Sequence, residues 1–105
     1  METKYLFAYG TLQFPSIQKE LVGSSFKNVG SDVLDGWKIK QISIEDIYYF
    51  TLIPSNKDDK VAGSIFEINS DWLQKLDEFE GDDYKRIEVI ADNKRCYMYV
   101  DNDEI

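Results

Sequence analysis

A chain of 105 residues, 43% hydrophobic and 14% aromatic, carries enough apolar surface to fold as one domain over residues 1–105 and too much to stay disordered. Its 20 Asp and Glu against 12 Lys and Arg, net -8, argue against nucleic acid or an anionic membrane surface as partner. With no histidine and Cys96 as its single cysteine, it excludes Ser-His-Asp and Cys-His catalysis, an intramolecular disulfide framework, and zinc sites built on imidazole or on several thiolates.

In chain order, Lys4 to Tyr9 is short and aromatic-rich, which predicts a buried strand broken by Gly10 and Thr11. Pro15 stands where a first helical turn begins, Ile17 and Leu21 follow at i, i+4 spacing, and Gly23 supplies the residue that ends a short helix. Phe26 with Val29, Trp37 with Ile39, and Ile42 with Ile44 mark short strands, with Asp35-Gly36 as a turn. Tyr48 to Ile53 is β-branched or aromatic almost throughout, predicting a strand buried on both faces and ended by Pro54. Asn56 to Lys60 is expected to be a hairpin loop and Val61 to Ile68 its return strand. Gly63 inside that strand marks a bulge or a close backbone approach.

Asn69-Ser70-Asp71 opens a second helix, with Asp71 and Gln74 as a loose capping box and Trp72, Leu73, Leu76 and Phe79 as its apolar stripe. Gly81 closes it. Tyr84 to Ala91 and Arg95 to Val100 then form two strands around Asp92-Asn93-Lys94, and the last five residues are expected to fray. The order predicts an α+β fold: a small, mostly antiparallel β-barrel or curved sheet flanked by about two short helices. Cys96, Trp37 and Trp72 read as packing residues, and Lys85 and Arg86 as balance for nearby acids. No apolar run reaches 18 residues, and Met1-Glu2-Thr3-Lys4 leads straight into the first strand without a signal-peptide cleavage site, so a reducing cytoplasm is the expected location.

Two segments can carry chemistry. Tyr9-Gly10-Thr11-Leu12 is a glycine turn between strand and helix, where successive backbone N–H groups can receive a carboxylate or carbonyl oxygen. The same turn also reads as an ordinary connection. From Asp71 to Asp83 there are six acids and one base, Lys75. That run reads either as a solvated helix end or as the source of one pocketed carboxyl group. Acids at a helix C-terminus oppose its dipole and one another, which raises the pKa of any carboxyl group held inside. Glu80, beside Phe79, is a better candidate than Asp77 or Glu78. The acids lack the alternating ligand spacing of a calcium loop, so no metal site is expected.

Tyr5-Leu6-Phe7-Ala8-Tyr9-Gly10-Thr11-Leu12-Gln13 resembles the opening strand and loop of the gamma-glutamylcyclotransferase-like family. Val61-Ala62-Gly63-Ser64-Ile65-Phe66-Glu67-Ile68 is similar to its central strand. Leu76-Asp77-Glu78-Phe79-Glu80-Gly81, followed by Tyr84-Lys85-Arg86, is similar to its Leu-Asp-x-x-Glu-Gly and Tyr-x-Arg signature. The resemblance implies a small β-barrel and release of pyroglutamate from a small-molecule gamma-glutamyl substrate, without cofactor or metal. It implies Glu80 as the catalytic acid–base, the backbone of Tyr9, Gly10, Thr11 and Leu12 as the holder of the glutamyl end, and Tyr84 as a pocket wall. The Tyr-Gly-Thr-Leu loop resembles the branch that includes gamma-glutamylamine cyclotransferases. Tyr48-Tyr49-Phe50 stands where many members carry Tyr-Pro, so one wall of the pocket differs. The alternative is a non-catalytic module that binds a small metabolite or a partner protein on the same scaffold.

Overall fold

The computed structural model of the protein describes residues 2–102. In chain order these form β1 (Thr3–Ala8), α1 (Pro15–Val22), β2 (Lys27–Asp35), β3 (Trp37–Ile44), β4 (Ile47–Pro54), β5 (Lys60–Asn69), α2 (Leu73–Glu80), β6 (Tyr84–Ala91) and β7 (Lys94–Asp101). Single 3₁₀ turns precede the helices at Thr11–Gln13 and Ser70–Trp72. The fold class is α+β, as expected.

Strand β1 lies in the middle of a five-stranded sheet of order β2-β5-β1-β7-β6. It runs antiparallel to β5 and parallel to β7, and its second half, Leu6 to Ala8, is buried on both faces. Alternation along the strand divides the core in two. Phe7 joins Leu34, Leu52, Ile65, Met98 and Val100, whereas Leu6 and Ala8 join Leu12, Phe66, Ile68, Leu76 and Tyr99. The helices contribute to the second cluster, through Ile17, Leu21 and Leu76. Each large apolar side chain fully buried here stabilises the fold by about 1.5–3 kcal/mol. Cys96 is a buried free thiol in the first cluster, and the half-buried Trp37 and Trp72 pack on the first and second clusters respectively.

The sheet does not close into a barrel. Its edge strands β2 and β6 share no ladder. They are linked instead by the Asp92 amide, which donates to Asp32 Oδ2 at 2.6 Å. Closure fails because β3 and β4 leave the sheet and pair only with each other, from Trp37↔Pro54 to Ile44↔Ile47. The segment Asn56 to Lys60 is therefore a connection between sheets and not the predicted hairpin loop. Gly36 pins this crossing: its N–H donates to Asp59 O and its carbonyl accepts from the Ser55 N–H, both at 2.8 Å. The hairpins lie elsewhere, at Glu45-Asp46 and Asp92-Asn93, where both central residues have positive φ. Turns of that twist match the twist of the strands they join.

Three further expectations change. Tyr48, Tyr49 and Phe50 are exposed, and only Thr51 and Leu52 of the segment predicted to be buried on both faces are enclosed. A two-stranded ribbon has one packed face, so its outer residues and its tip meet solvent. Asn69 caps the 3₁₀ turn that leads into α2, its Oδ1 accepting from the Asp71 N–H at 2.9 Å, while α2 itself has no side-chain cap, so Asp71 with Gln74 forms no capping box. Within the apolar stripe, Phe79 is exposed at the end of α2 instead of packing in the core. At the C-terminus, Asp101 ends β7 and the Asn102 N–H donates to Asp83 O at 2.8 Å, so neither frays; the other three of the last five residues, 103–105, lie outside the described residues. Gly63 marks a close approach: a Cβ there would lie 2.8 Å from Ala8 O and inside the Phe7 ring's contact distance.

Candidate active site

The end of β1, the end of α2, the start of β6 and the β3–β4 ribbon surround a cavity of about 520 Å³. Tyr9, Gly10, Thr11, Leu12, Glu80 and Tyr84 all line it, although about 70 residues separate the first from the last two. The other walls include Ile44, Tyr48, Tyr49 and Phe50 of the ribbon, with Phe79, Asp83 and Tyr99.

Glu80 is the last residue of α2, where Gly81 stops the helix with φ 73° and donates its N–H to Asp77 O at 2.9 Å. Its side chain is half-buried. Burial withholds water from the carboxylate and pushes its pKa up to about 7. Desolvation, and not the crowding of neighbouring acids, is the cause. Those neighbours face elsewhere: Glu78 and Asp82 are exposed, and Asp77 accepts from Tyr99 at 2.6 Å and pairs with Arg86 at 3.2 Å. Arg86 thus does balance an acid of the cluster. A carboxyl group titrating near 7 can both take and return a proton at neutral pH.

The turn opposite is held from below by two glutamines. Gln13 donates to Gly10 O from its backbone N–H at 3.1 Å and from Nε2 at 3.3 Å, and its Oε1 accepts from Ser64 Oγ at 3.1 Å. Gln18 is buried on α1; its Nε2 donates to Leu12 O at 2.7 Å and its Oε1 accepts from the Phe26 N–H at 2.8 Å. Carbonyl groups of the turn are therefore occupied. The N–H groups at the start of a helical turn have no acceptor within it, and no side chain caps this one. The turn presents donors, which suits an anionic or carbonyl oxygen.

Tyrosines join the ribbon to the sheet. The Tyr9 hydroxyl donates to Tyr99 O at 2.5 Å and also meets Thr51 and the Leu52 backbone; burial pushes its pKa far up. Thr51 Oγ1 accepts from the Asp101 N–H at 2.8 Å. Tyr84 donates to Phe50 O at 3.3 Å, and burial, then the Glu80 charge, raise its pKa to about 12. Tyr9 and Tyr84 line the cavity, with the Tyr84 hydroxyl donating to Phe50 O of the ribbon and the Tyr9 hydroxyl donating to Tyr99 O of β7 beside Thr51 of the ribbon.

Sequence reading did not select Gln13, Gln18, Asp83 or Tyr99. A glutamine among the inward positions of a short amphipathic helix was the available signal for Gln18. Asp83 lies within the acidic run already noted, in the turn before β6, and Tyr99 carries no signal, since it enters the cavity through strand placement.

A family model described as gamma-glutamyl cyclotransferase, AIG2-like, matches residues 6–104. An Arabidopsis thaliana protein solved in solution superposes with a TM-score of 0.76 at 21% identity, over 99% of this chain and 65% of its own. A structure described as a gamma-glutamyl cyclotransferase superposes with a TM-score of 0.79 at 21% identity, over 96% of this chain and 68% of its own. The Escherichia coli protein ytfP does so with 0.70 at 21% identity, over 93% and 82%. At that identity the likeness establishes a shared fold, and this chain spans 65% of the Arabidopsis chain's length. No curated protein matches the sequence.

Proposed function

Because the chain belongs to the AIG2-like gamma-glutamyl cyclotransferase family, matched over residues 6–104, we propose that it releases pyroglutamate from a gamma-glutamyl amide. One observation carries the reading. A carboxyl group titrating near 7 faces, across one cavity, a turn with uncapped backbone N–H groups.

In the proposed reaction the α-amine nitrogen of the glutamyl group attacks its own γ-carbonyl carbon. A new C–N bond closes a five-membered lactam, and the original γ-amide C–N bond breaks. Glu80 takes the proton released by the attacking nitrogen and delivers it to the departing nitrogen, so the carboxylate is regenerated and no water is consumed. The backbone of Tyr9 to Leu12 holds the substrate's α-carboxylate, which sets the α-amine beside Glu80. An intramolecular attack needs little beyond a folded conformer and a proton carrier, and holding that conformer lowers the barrier by pre-ordering the reacting atoms. The aromatic walls keep water from the carboxyl group and so maintain its raised pKa.

The test is steady-state pyroglutamate release from a panel of gamma-glutamyl compounds. Glu80→Gln is expected to lower turnover by about 10²–10⁴-fold with a smaller change in substrate affinity. Glu78→Gln and Asp82→Asn, both at exposed positions, are expected to stay within about twofold of the parent. Circular dichroism confirms folding. Near-full activity of Glu80→Gln overturns the mechanism; a parent protein that binds such compounds without turnover is a binding module instead.

A further inference from the structure

Exposed apolar surface is concentrated on the ribbon. Of the nine large hydrophobic side chains open to solvent among the described residues, five belong to β3 and β4: Ile39, Ile47, Tyr48, Tyr49 and Phe50. One edge of the ribbon is also unused. Strand β3 pairs with β4 in an unbroken register from Trp37 to Ile44, and its other edge joins no ladder among the described strands. Such an edge presents a row of backbone N–H and C=O groups to any extended chain. The edges of the larger sheet are blunted, β2 by its bulge between Asn28 and Gly30, and β2 and β6 together by the Asp92 N–H bond to Asp32 that ties one to the turn after the other. Strand β3 has neither bulge nor proline.

We propose that this edge is an interface between two copies of the chain, β3 pairing antiparallel with β3 of the second copy about a two-fold axis at Ile42. The charges of the strand select this occupant and this orientation. Lys38 and Lys40 are the only charged residues of β3, and Glu45 and Asp46 follow at the ribbon's tip. Lysines on an edge ordinarily discourage pairing, and in a parallel arrangement they would stand beside each other. Reversal of the second strand sets Lys38 opposite the second copy's Asp46, and the two-fold axis repeats that pair at the far end. In the same register Ile42 meets its own counterpart, Gln41 meets Ser43, and Ile44 lies along the stem of Lys40. Lys38, Gln41 and Ser43 are exposed and Ile42 is half-buried, so each has surface left to cover. The chain as a whole carries net -8, so two copies repel one another at most contacts, and the complementarity of this edge is what lets them approach there. The assembled pair is a four-stranded sheet, β4-β3-β3-β4, whose seam adjoins Ile44 in the cavity wall.

Sedimentation velocity of the full chain over a concentration series measures the association, and charge reversal tests its geometry. The parent is expected to dimerise with a Kd below about 100 μM. Lys38→Glu and Asp46→Lys should each weaken the dimer at least about tenfold, because each turns two attractions into two repulsions. The double variant restores both pairs and should return to within about threefold of the parent. Lys57→Glu, an equal change of charge at an exposed position between β4 and β5, should leave the Kd within about twofold. Circular dichroism confirms the fold of each variant. A parent still monomeric at about 100 μM overturns the proposal. So does a dimer indifferent to both single reversals, one weakened as much by Lys57→Glu, or a double variant no tighter than the single ones. Because no substrate enters these measurements, their outcome is independent of the cyclotransferase reading.

Discussion

Tyr99 donates its hydroxyl proton to Asp77 Oδ1 at 2.6 Å, tying the central region of the sheet to the last turns of α2, three residues before Glu80. Arg86 pairs with the same carboxylate at 3.2 Å while lying 4.8 Å above the Tyr97 ring. The helix end that carries the raised carboxyl group is thus held from two strands. Burial and the Asp77 carboxylate keep the Tyr99 phenol protonated, so the donor persists across the physiological range.

Tyr99→Phe keeps the ring and removes this donor. A hydrogen bond to a charged acceptor contributes about 1.5–3 kcal/mol when enclosed, and Asp77 is exposed, so the expected loss is about 1–2 kcal/mol. Urea unfolding at neutral pH measures it. A midpoint equal to the parent's would mean that the bond adds nothing to stability.

Glu80 also predicts a pH dependence of folding. Its pKa is about 7 in the fold against 4.5 for the free side chain, so the native state binds more protons than the unfolded state between those values. The carboxyl group costs no stability below about pH 4.5; the cost grows as pH rises through the interval and is complete above about 7. It is on the order of 3 kcal/mol. Glu80→Gln removes it, so the variant should equal the parent near pH 4 and exceed it at pH 8. Denaturant unfolding of both proteins at the two pH values checks this, and a constant difference between them would contradict the assigned cause.

Gly10→Val should weaken ligand binding more than it weakens the fold. A Cβ at this position meets nothing within 4 Å, and φ of -129° lies outside the left-handed region that demands glycine. The added methyl groups would instead stand at the cavity wall, where a ligand approaches the turn. Thermal unfolding together with pyroglutamate titration separates the two effects. Unaltered pyroglutamate affinity would make the turn structural only.

Gly63→Ala should do the reverse. Its Cβ would collide with the Phe7 ring and with Ala8 O, a backbone atom that cannot swing away. Overpacking of this kind costs about 1–3 kcal/mol, and a backbone neighbour places it at the upper end. A melting temperature like the parent's would show that β1 and β5 separate easily.

Local patterns carried much of this protein. Pro15 and Gly23 bound α1 as read, because each acts through its own backbone: a fixed φ at a first turn and a φ of 81° at the C-cap. Gly81 ends α2 for the same kind of reason. Glu80 is singled out in the sequence by standing beside Phe79 of the apolar stripe and by a motif that resembles a family signature; Phe79 itself proves exposed, so it is the cavity walls and not the stripe that bury Glu80. Strand pairing was another matter. Asn56 to Lys60 has the composition of a hairpin loop, yet β4 pairs with β3 and β5 with β2 and β1. Turn propensity is a property of a few neighbouring residues, whereas the choice of partner strand depends on which faces remain to be covered once β1 is central.

What the residues determined alone were the elements, the chemistry available without histidine, and the two segments that could supply it. The tertiary structure decided which carboxyl group loses its water, since that depends on walls brought by β1, β6 and the ribbon to the end of α2. It also decided the fate of Tyr48, Tyr49 and Phe50. An aromatic strand reads as core in sequence, because hydrophobicity is counted residue by residue. Burial needs a second surface, and on the open ribbon these three side chains meet the cavity and solvent instead.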